Sequence, residues 1–166
     1  SNSYTTATGM ASLLDIKHDK ITRALSQGDF DSKYLWEQAK VYLKDIAQSG
    51  ELITLTFDDS IEEKRYTDES ELNCWHFDHT FGKSVKGINF LSALLEVGGM
   101  RIPVGIEFIK KDIFVDDPKT GKKKRKSSVT KNELFRKMLR ECYGKMQFDY
   151  VLTDSWFSSI ENIICC

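Results

Sequence analysis

The chain has 166 residues, of which 40% are hydrophobic, 30% charged and 11% aromatic, enough to bury a core and too apolar for a disordered tail. Two Pro and ten Gly exclude collagen-like or linker composition, and no apolar run approaches the roughly 18 residues of a membrane helix. The net charge of −1 makes the chain as a whole neither a polycation nor a polyanion.

The start, Ser1-Asn2-Ser3-Tyr4-Thr5-Thr6, lacks the basic and apolar regions of a secretory signal. Cys74, Cys142, Cys165 and Cys166 have no framework spacing, so the expectation is a reducing cytoplasm. The charge is unevenly spread. From Glu51 to His79 there are nine acidic residues against two basic ones, and from Lys110 to Lys145 thirteen basic against five acidic. A metal site beside a nucleic-acid surface gives this split, and so does an ordinary solvated surface.

Residues 1–50 read as a helical N-terminal segment. Met10, Leu13, Leu14 and Ile16 cluster, Ile21 and Leu25 follow with a stop at Gly28, and Asp31 or Ser32 caps a longer helix carrying Tyr34, Leu35, Ala39, Tyr42, Leu43 and Ile46. This is either a DNA-reading helix-turn-helix or a small helical bundle packed on the next domain, and the bundle is the commoner outcome. Residues 51–166 form the second unit. Glu51 to Phe57 reads as a buried strand that exits at Asp58-Asp59-Ser60. A polar stretch runs to about Ser84. Lys86–Val97 and Met100–Ile109 read as two strands joined by Gly98-Gly99. Asp116–Gly121 is a turn before Lys122-Lys123-Lys124-Arg125-Lys126. Thr130-x-x-Glu133 is a capping box opening a helix with Leu134, Phe135, Met138, Leu139 and Cys142 on one face. Phe148–Thr153 makes a fourth strand ending at Asp154, and a helix follows from Trp156 to Ile164.

Three antiparallel strands, a crossover helix and a fourth strand predict an α/β fold with a mixed sheet. The crossover places the exits of the first and fourth strands on one edge, bringing Asp58 or Asp59 towards Asp154. Carboxylates meeting there repel unless a cation lies between them, and hard oxygen donors suit Mg²⁺ or Mn²⁺. The alternative is that Asp59 and Asp154 are turn or N-cap residues.

Phe57-Asp58-Asp59-Ser60, Trp75-His76-x-x-His79, Ser84-Val85-Lys86-Gly87-Ile88-Asn89, Asp117-Pro118-Lys119-Thr120-Gly121 and Tyr150-Val151-Leu152-Thr153-Asp154-Ser155-Trp156-Phe157 together resemble bacterial insertion-sequence transposases of the DDE superfamily. The likeness covers roughly residues 50–164 and its element order matches an RNase H-like core; His18–Arg23 is similar to the lead-in helices of such transposases. The resemblance implies that Asp59, the acid before the serine, and Asp154 bind divalent metal, with Asp58 as the alternative to Asp59. It implies attack by water or a DNA 3′-hydroxyl on a phosphodiester at transposon ends and target DNA. The family's third acid, a Glu beyond a fifth strand, has no counterpart, and Glu161 comes too soon after Asp154 for that role. The expectation is therefore a core incomplete at its C-terminus and of low activity. The competing expectation is a non-catalytic DNA-binding remnant that dimerises or pairs with a full-length transposase, and the exposed Ile163-Ile164-Cys165-Cys166 end favours self-association.

Cys74-x-His76-x-x-His79 falls short of structural zinc, which takes four ligands in paired clusters. His76 and His79 are either DNA contacts or ordinary hydrogen-bonded histidines, with Trp75 packed. Lys122, Lys123, Lys124, Arg125 and Lys126, with Lys110, Lys111 and Lys119, either neutralise DNA phosphates or form a solvated hairpin tip. Trp156 and Phe157 read as core anchors rather than a base-stacking platform.

Overall fold

A computed structural model describes residues 6–28, 30–118 and 120–165. Ser1–Thr5 of the expected leaderless start, Lys119 of the basic group and Cys166 of the terminal pair lie outside the described residues, as does the side chain of Lys44.

Three helices come first: α1 (Ala7–Leu14), α2 (His18–Gln27) and α3 (Ser32–Gln48). Asp31 caps α3 by accepting the Tyr34 N–H at 2.8 Å, satisfying a donor that has no partner within the helix. α1 and α2 pack on each other, with Ala11 and Ile21 as their buried residues. α3 instead packs on the sheet, and its Ala39 and Ile46 join the main core.

The strands are β1 (Thr54–Glu63), β2 (Asn73–Asp78), β3 (Lys83–Val97), β4 (Met100–Phe108), β5 (Ile113–Asp116), β6 (Lys123–Lys126) and β7 (Tyr150–Thr153), with α4 (Lys131–Tyr143) before β7 and α5 (Ile160–Cys165) after it. β3 organises the main sheet. Along one edge its residues Gly87–Glu96 pair antiparallel with β1. Along the other, Lys83–Ile88 pair with β2 and Phe90–Val97 with β4. β7 joins the far edge of β1 in parallel, and β5 and β6 form a separate hairpin. The sheet is thus mixed, as expected.

Alternation along the strands sends Leu55, Phe57, Leu91, Ala93 and Leu95 to one face. α4 covers that face with Phe135, Met138, Leu139 and Cys142, all buried. Each such side chain contributes roughly 1.5–3 kcal/mol of burial, so docking of α4 rather than helix propensity holds this layer. Its capping box is formed, with Thr130 and Glu133 bonding reciprocally.

Several boundaries differ from those expected. β1 does not end at Phe57 but continues to Glu63, because β3 offers a backbone partner for every residue to Gly87; Asp58 and Asp59 therefore lie within the strand. The polar stretch contains β2, and the basic run forms β6. Gly87 sits where β1, β3 and β2 meet, and a Cβ there would fall 2.4 Å from the Glu62 carbonyl oxygen, so only glycine fits. The last helix is split into a single 3₁₀ turn, Ser155–Phe157, and α5. Phe157 is a core anchor at 2% exposure, but Trp156 is 60% exposed. Trp75, expected to pack, is 55% exposed because Cys74 and His76 take the inward positions of β2.

Candidate active site

The parallel register pairs Thr54 with Tyr150 and Phe57 with Thr153, so one step further along each chain Asp58 and Asp154 are neighbours. Parity then separates the two β1 acids. Asp59 shares the inward face of Leu55 and Phe57, whereas Asp58 faces outward with Thr56. Asp59 forms an ion pair with Lys131, the first residue of α4. At Asp58 the backbone carbonyl accepts the Ser92 hydroxyl at 3.2 Å.

Asp154 caps the 3₁₀ turn. Its Oδ1 accepts the Trp156 N–H at 3.1 Å and the Ser155 hydroxyl at 3.0 Å. These bonds hold its carboxyl below the usual range, the Trp156 amide contributing most, so it is ionised at neutral pH. Both the cap and the strand-end position expected from sequence are present at this residue.

The element that fixes this turn is one that sequence patterns did not reveal. Asn162 is 1% exposed; its Nδ2 donates to the Phe157 carbonyl at 2.9 Å and to Asn132 Oδ1 at 3.0 Å. Its Oδ1 accepts from Arg136 Nη1 at 2.7 Å. The turn after Asp154 is therefore tied to the first turn of α4, which also carries Lys131. The available signal was a lone Asn among Ile160, Ile163 and Ile164.

β2 splits its histidines between two environments. His76 is 5% exposed, and its Nε2 lies 3.4 Å from Cys74 Sγ. Burial, reinforced by Lys111 and Lys131, pulls its pKa down to about 4, so the ring is neutral and is not placed to meet a phosphate. His79 is exposed, its ring centroid 4.9 Å from Phe77 and 5.1 Å from Trp156. Cys74, His76 and His79 thus do not converge, and the described residues contain no group of three or more His, Cys, Asp or Glu suited to a metal.

The basic hairpin is partly consumed by internal pairs. Lys124 bonds Asp117 at 3.0 Å. Arg125 pairs with Glu69 at 3.4 Å and lies 4.5 Å from the Phe114 ring centroid. Lys122, Lys123 and Lys126 remain exposed. Together with Lys110–Glu71 at 3.6 Å and Lys131–Asp59, these contacts neutralise part of the acidic segment with the basic one, so the two are not simply separate patches.

Asp58 and Asp154 are hard oxygen donors on neighbouring parallel strands, with Asp59 one residue further along β1 on the inward face, and carboxylates of this kind suit Mg²⁺ or Mn²⁺ retaining water and phosphate ligands. A mixed α/β fold with acids on adjoining parallel strands is consistent with an RNase H-like nuclease core. The chain matches the DDE superfamily endonuclease family over residues 1–163 and belongs to that family, whose substrate is DNA. Neither the curated proteins nor the solved structures contain a match. Among the described residues no helix is long and apolar enough to cross a membrane.

Proposed function

We propose that the chain is part of an insertion-sequence-type transposase acting in phosphodiester cleavage and strand transfer at transposon ends, with Asp59 and Asp154 as its catalytic carboxylates. The observation that carries this is the pairing of β1 with β7, which makes the two acid-bearing strands parallel neighbours in a chain of the DDE endonuclease family. Asp59 takes this role from the resemblance, as the acid directly before Ser60, and Asp58, the register neighbour of Asp154, is the alternative ligand. A bound Mg²⁺ or Mn²⁺ supplies the Lewis acid that activates an attacking hydroxyl and stabilises a leaving oxygen. Asp59 and Asp154 would hold that ion, while the Oδ1 of Asp154 holds the turn. Lys122, Lys123 and Lys126, backed by Lys124 and Arg125, meet the DNA backbone, and His79 lies beside the site.

A second reading is a non-catalytic DNA-binding remnant that pairs with itself or with a complete transposase. It is favoured by Lys131 already neutralising Asp59 and by the lack of a third metal-ligating group among the described residues. Titrating Mn²⁺ into wild type and Asp154→Asn with labelled DNA ends separates the two. Weak cleavage that disappears in Asp154→Asn supports the transposase reading; salt-dependent binding with no cleavage by wild type supports the remnant.

A further inference from the structure

Lys131 stands where helix electrostatics disfavour it. It is the first residue of α4, and there the positive end of the helix dipole opposes a cation. Its side chain, 27% exposed, nonetheless reaches Asp59 on β1 and pairs with it. The next residue, Asn132, accepts from Asn162 Nδ2 at 3.0 Å, and the same amide nitrogen donates to the Phe157 carbonyl at the end of the turn that Asp154 caps. The opening turn of α4 therefore contacts Asp59 directly and reaches the segment after Asp154 through one asparagine. Among the described residues no other basic side chain pairs with Asp58, Asp59 or Asp154.

We propose that Lys131 changes partners in the working site, leaving Asp59 for a non-bridging oxygen of a DNA phosphate once a divalent ion has neutralised that carboxylate. This rests on the reading of Asp59 as a metal ligand and of DNA as substrate, and it adds a phosphate contact separate from the basic hairpin of β5 and β6. An ammonium and a divalent ion compete for the same negative charge, and the ion, with twice the charge, is the stronger claimant. The displaced ammonium cannot retreat into the core without losing its counter-charge. On the solvent side, the anion that the substrate brings is a phosphate. A lysine suits the exchange because its ammonium carries three donors on a flexible stem, of which Asp59 takes one.

The test measures affinity for a short labelled duplex by fluorescence anisotropy across a salt series, with and without Mn²⁺. Each phosphate neutralised steepens the slope of log affinity against log salt by about 0.9. Wild type should exceed Lys131→Gln by one such increment with Mn²⁺ present and by none without it. Asp59→Asn frees Lys131 in the absence of metal, so it should show the steeper slope already in metal-free buffer, and Lys131→Arg should behave as wild type. Lys131→Gln and Asp59→Asn break the same ion pair, so any loosening of the fold is common to both, whereas their slopes are expected to differ. A gap between wild type and Lys131→Gln that is equal with and without Mn²⁺, or absent in both, overturns the exchange and leaves the metal and DNA readings intact. An Asp59→Asn slope equal to that of metal-free wild type does the same. Wild type that takes up no Mn²⁺, read by electron paramagnetic resonance, or that binds no duplex overturns the exchange together with the reading on which it rests.

Discussion

Lys131, the first residue of α4, forms an ion pair with Asp59 on the inward face of β1, the two being 72 positions apart in sequence. Their side chains are about a quarter exposed, at 27% and 24%, so the pair is screened less than a surface contact and more than a buried one. It links the helix that covers the sheet to the acid that the proposed site requires.

Replacing Lys131 by Met leaves the Asp59 carboxylate without its cation close to the core. Loss of one partner from such a half-buried pair is expected to cost about 1–2 kcal/mol, read as a lower urea midpoint with an unchanged m-value. If Asp59 is a metal ligand, Lys131→Met should also bind Mn²⁺ several-fold more tightly than wild type, because the competing cation is gone.

The buried His76 predicts a pH dependence of stability. Its folded pKa of about 4 lies below the ordinary value of 6.5, so the unfolded chain binds the extra proton between these values. Stability is complete above about pH 6.5 and falls as the pH drops towards 4. The loss is expected to reach about 3 kcal/mol. Urea titrations across this range should show the slope in wild type and a flatter one in His76→Gln.

Asn162 is expected to be more important than its position near the end of the fold suggests. Asn162→Ala strands the Phe157 carbonyl, Asn132 and the Arg136 guanidinium, at about 1–3 kcal/mol for a buried group left unmade. It should also weaken Mn²⁺ binding, since the turn that Asp154 caps loses its tie to α4. An unchanged midpoint together with unchanged Mn²⁺ affinity would remove Asn162 from this role.

The sequence made some layers plain and hid others for definable reasons. α4 was legible because its capping box and helical period agree, and the β3–β4 hairpin because Gly98 and Gly99 both adopt positive φ, 55° and 77°. β2 was hidden because its inward positions are Cys74 and His76 while Trp75 and Phe77 face solvent, the reverse of the usual pattern. The length of β1 was hidden because Asp58, Asp59, Glu62 and Glu63 are poor strand formers, and only the partner β3 keeps them extended. At the candidate site the two acids and their shared sheet end could be anticipated from element order. The Lys131 pair and the Asn162 lock depend on contacts between distant segments that no local pattern encodes.

The basic hairpin should act through charge alone. Replacing Lys122, Lys123 and Lys126 by Ala is expected to weaken DNA binding for all sequences. The slope of log affinity against log salt should become shallower by about 0.9 for each phosphate no longer neutralised. Arg125→Ala should differ, since it removes the Glu69 pair and the Phe114 ring interaction, and its main effect should be a looser hairpin seen as faster amide exchange.

The most direct test of the central claim is the Mn²⁺ affinity of wild type, Asp58→Asn, Asp59→Asn and Asp154→Asn, read by electron paramagnetic resonance of free Mn²⁺. Asp154 is exposed, so its substitution leaves the fold intact. The account predicts that Asp59→Asn and Asp154→Asn each lose most of the binding while Asp58→Asn keeps it. Equal Mn²⁺ binding by wild type and Asp154→Asn would contradict it.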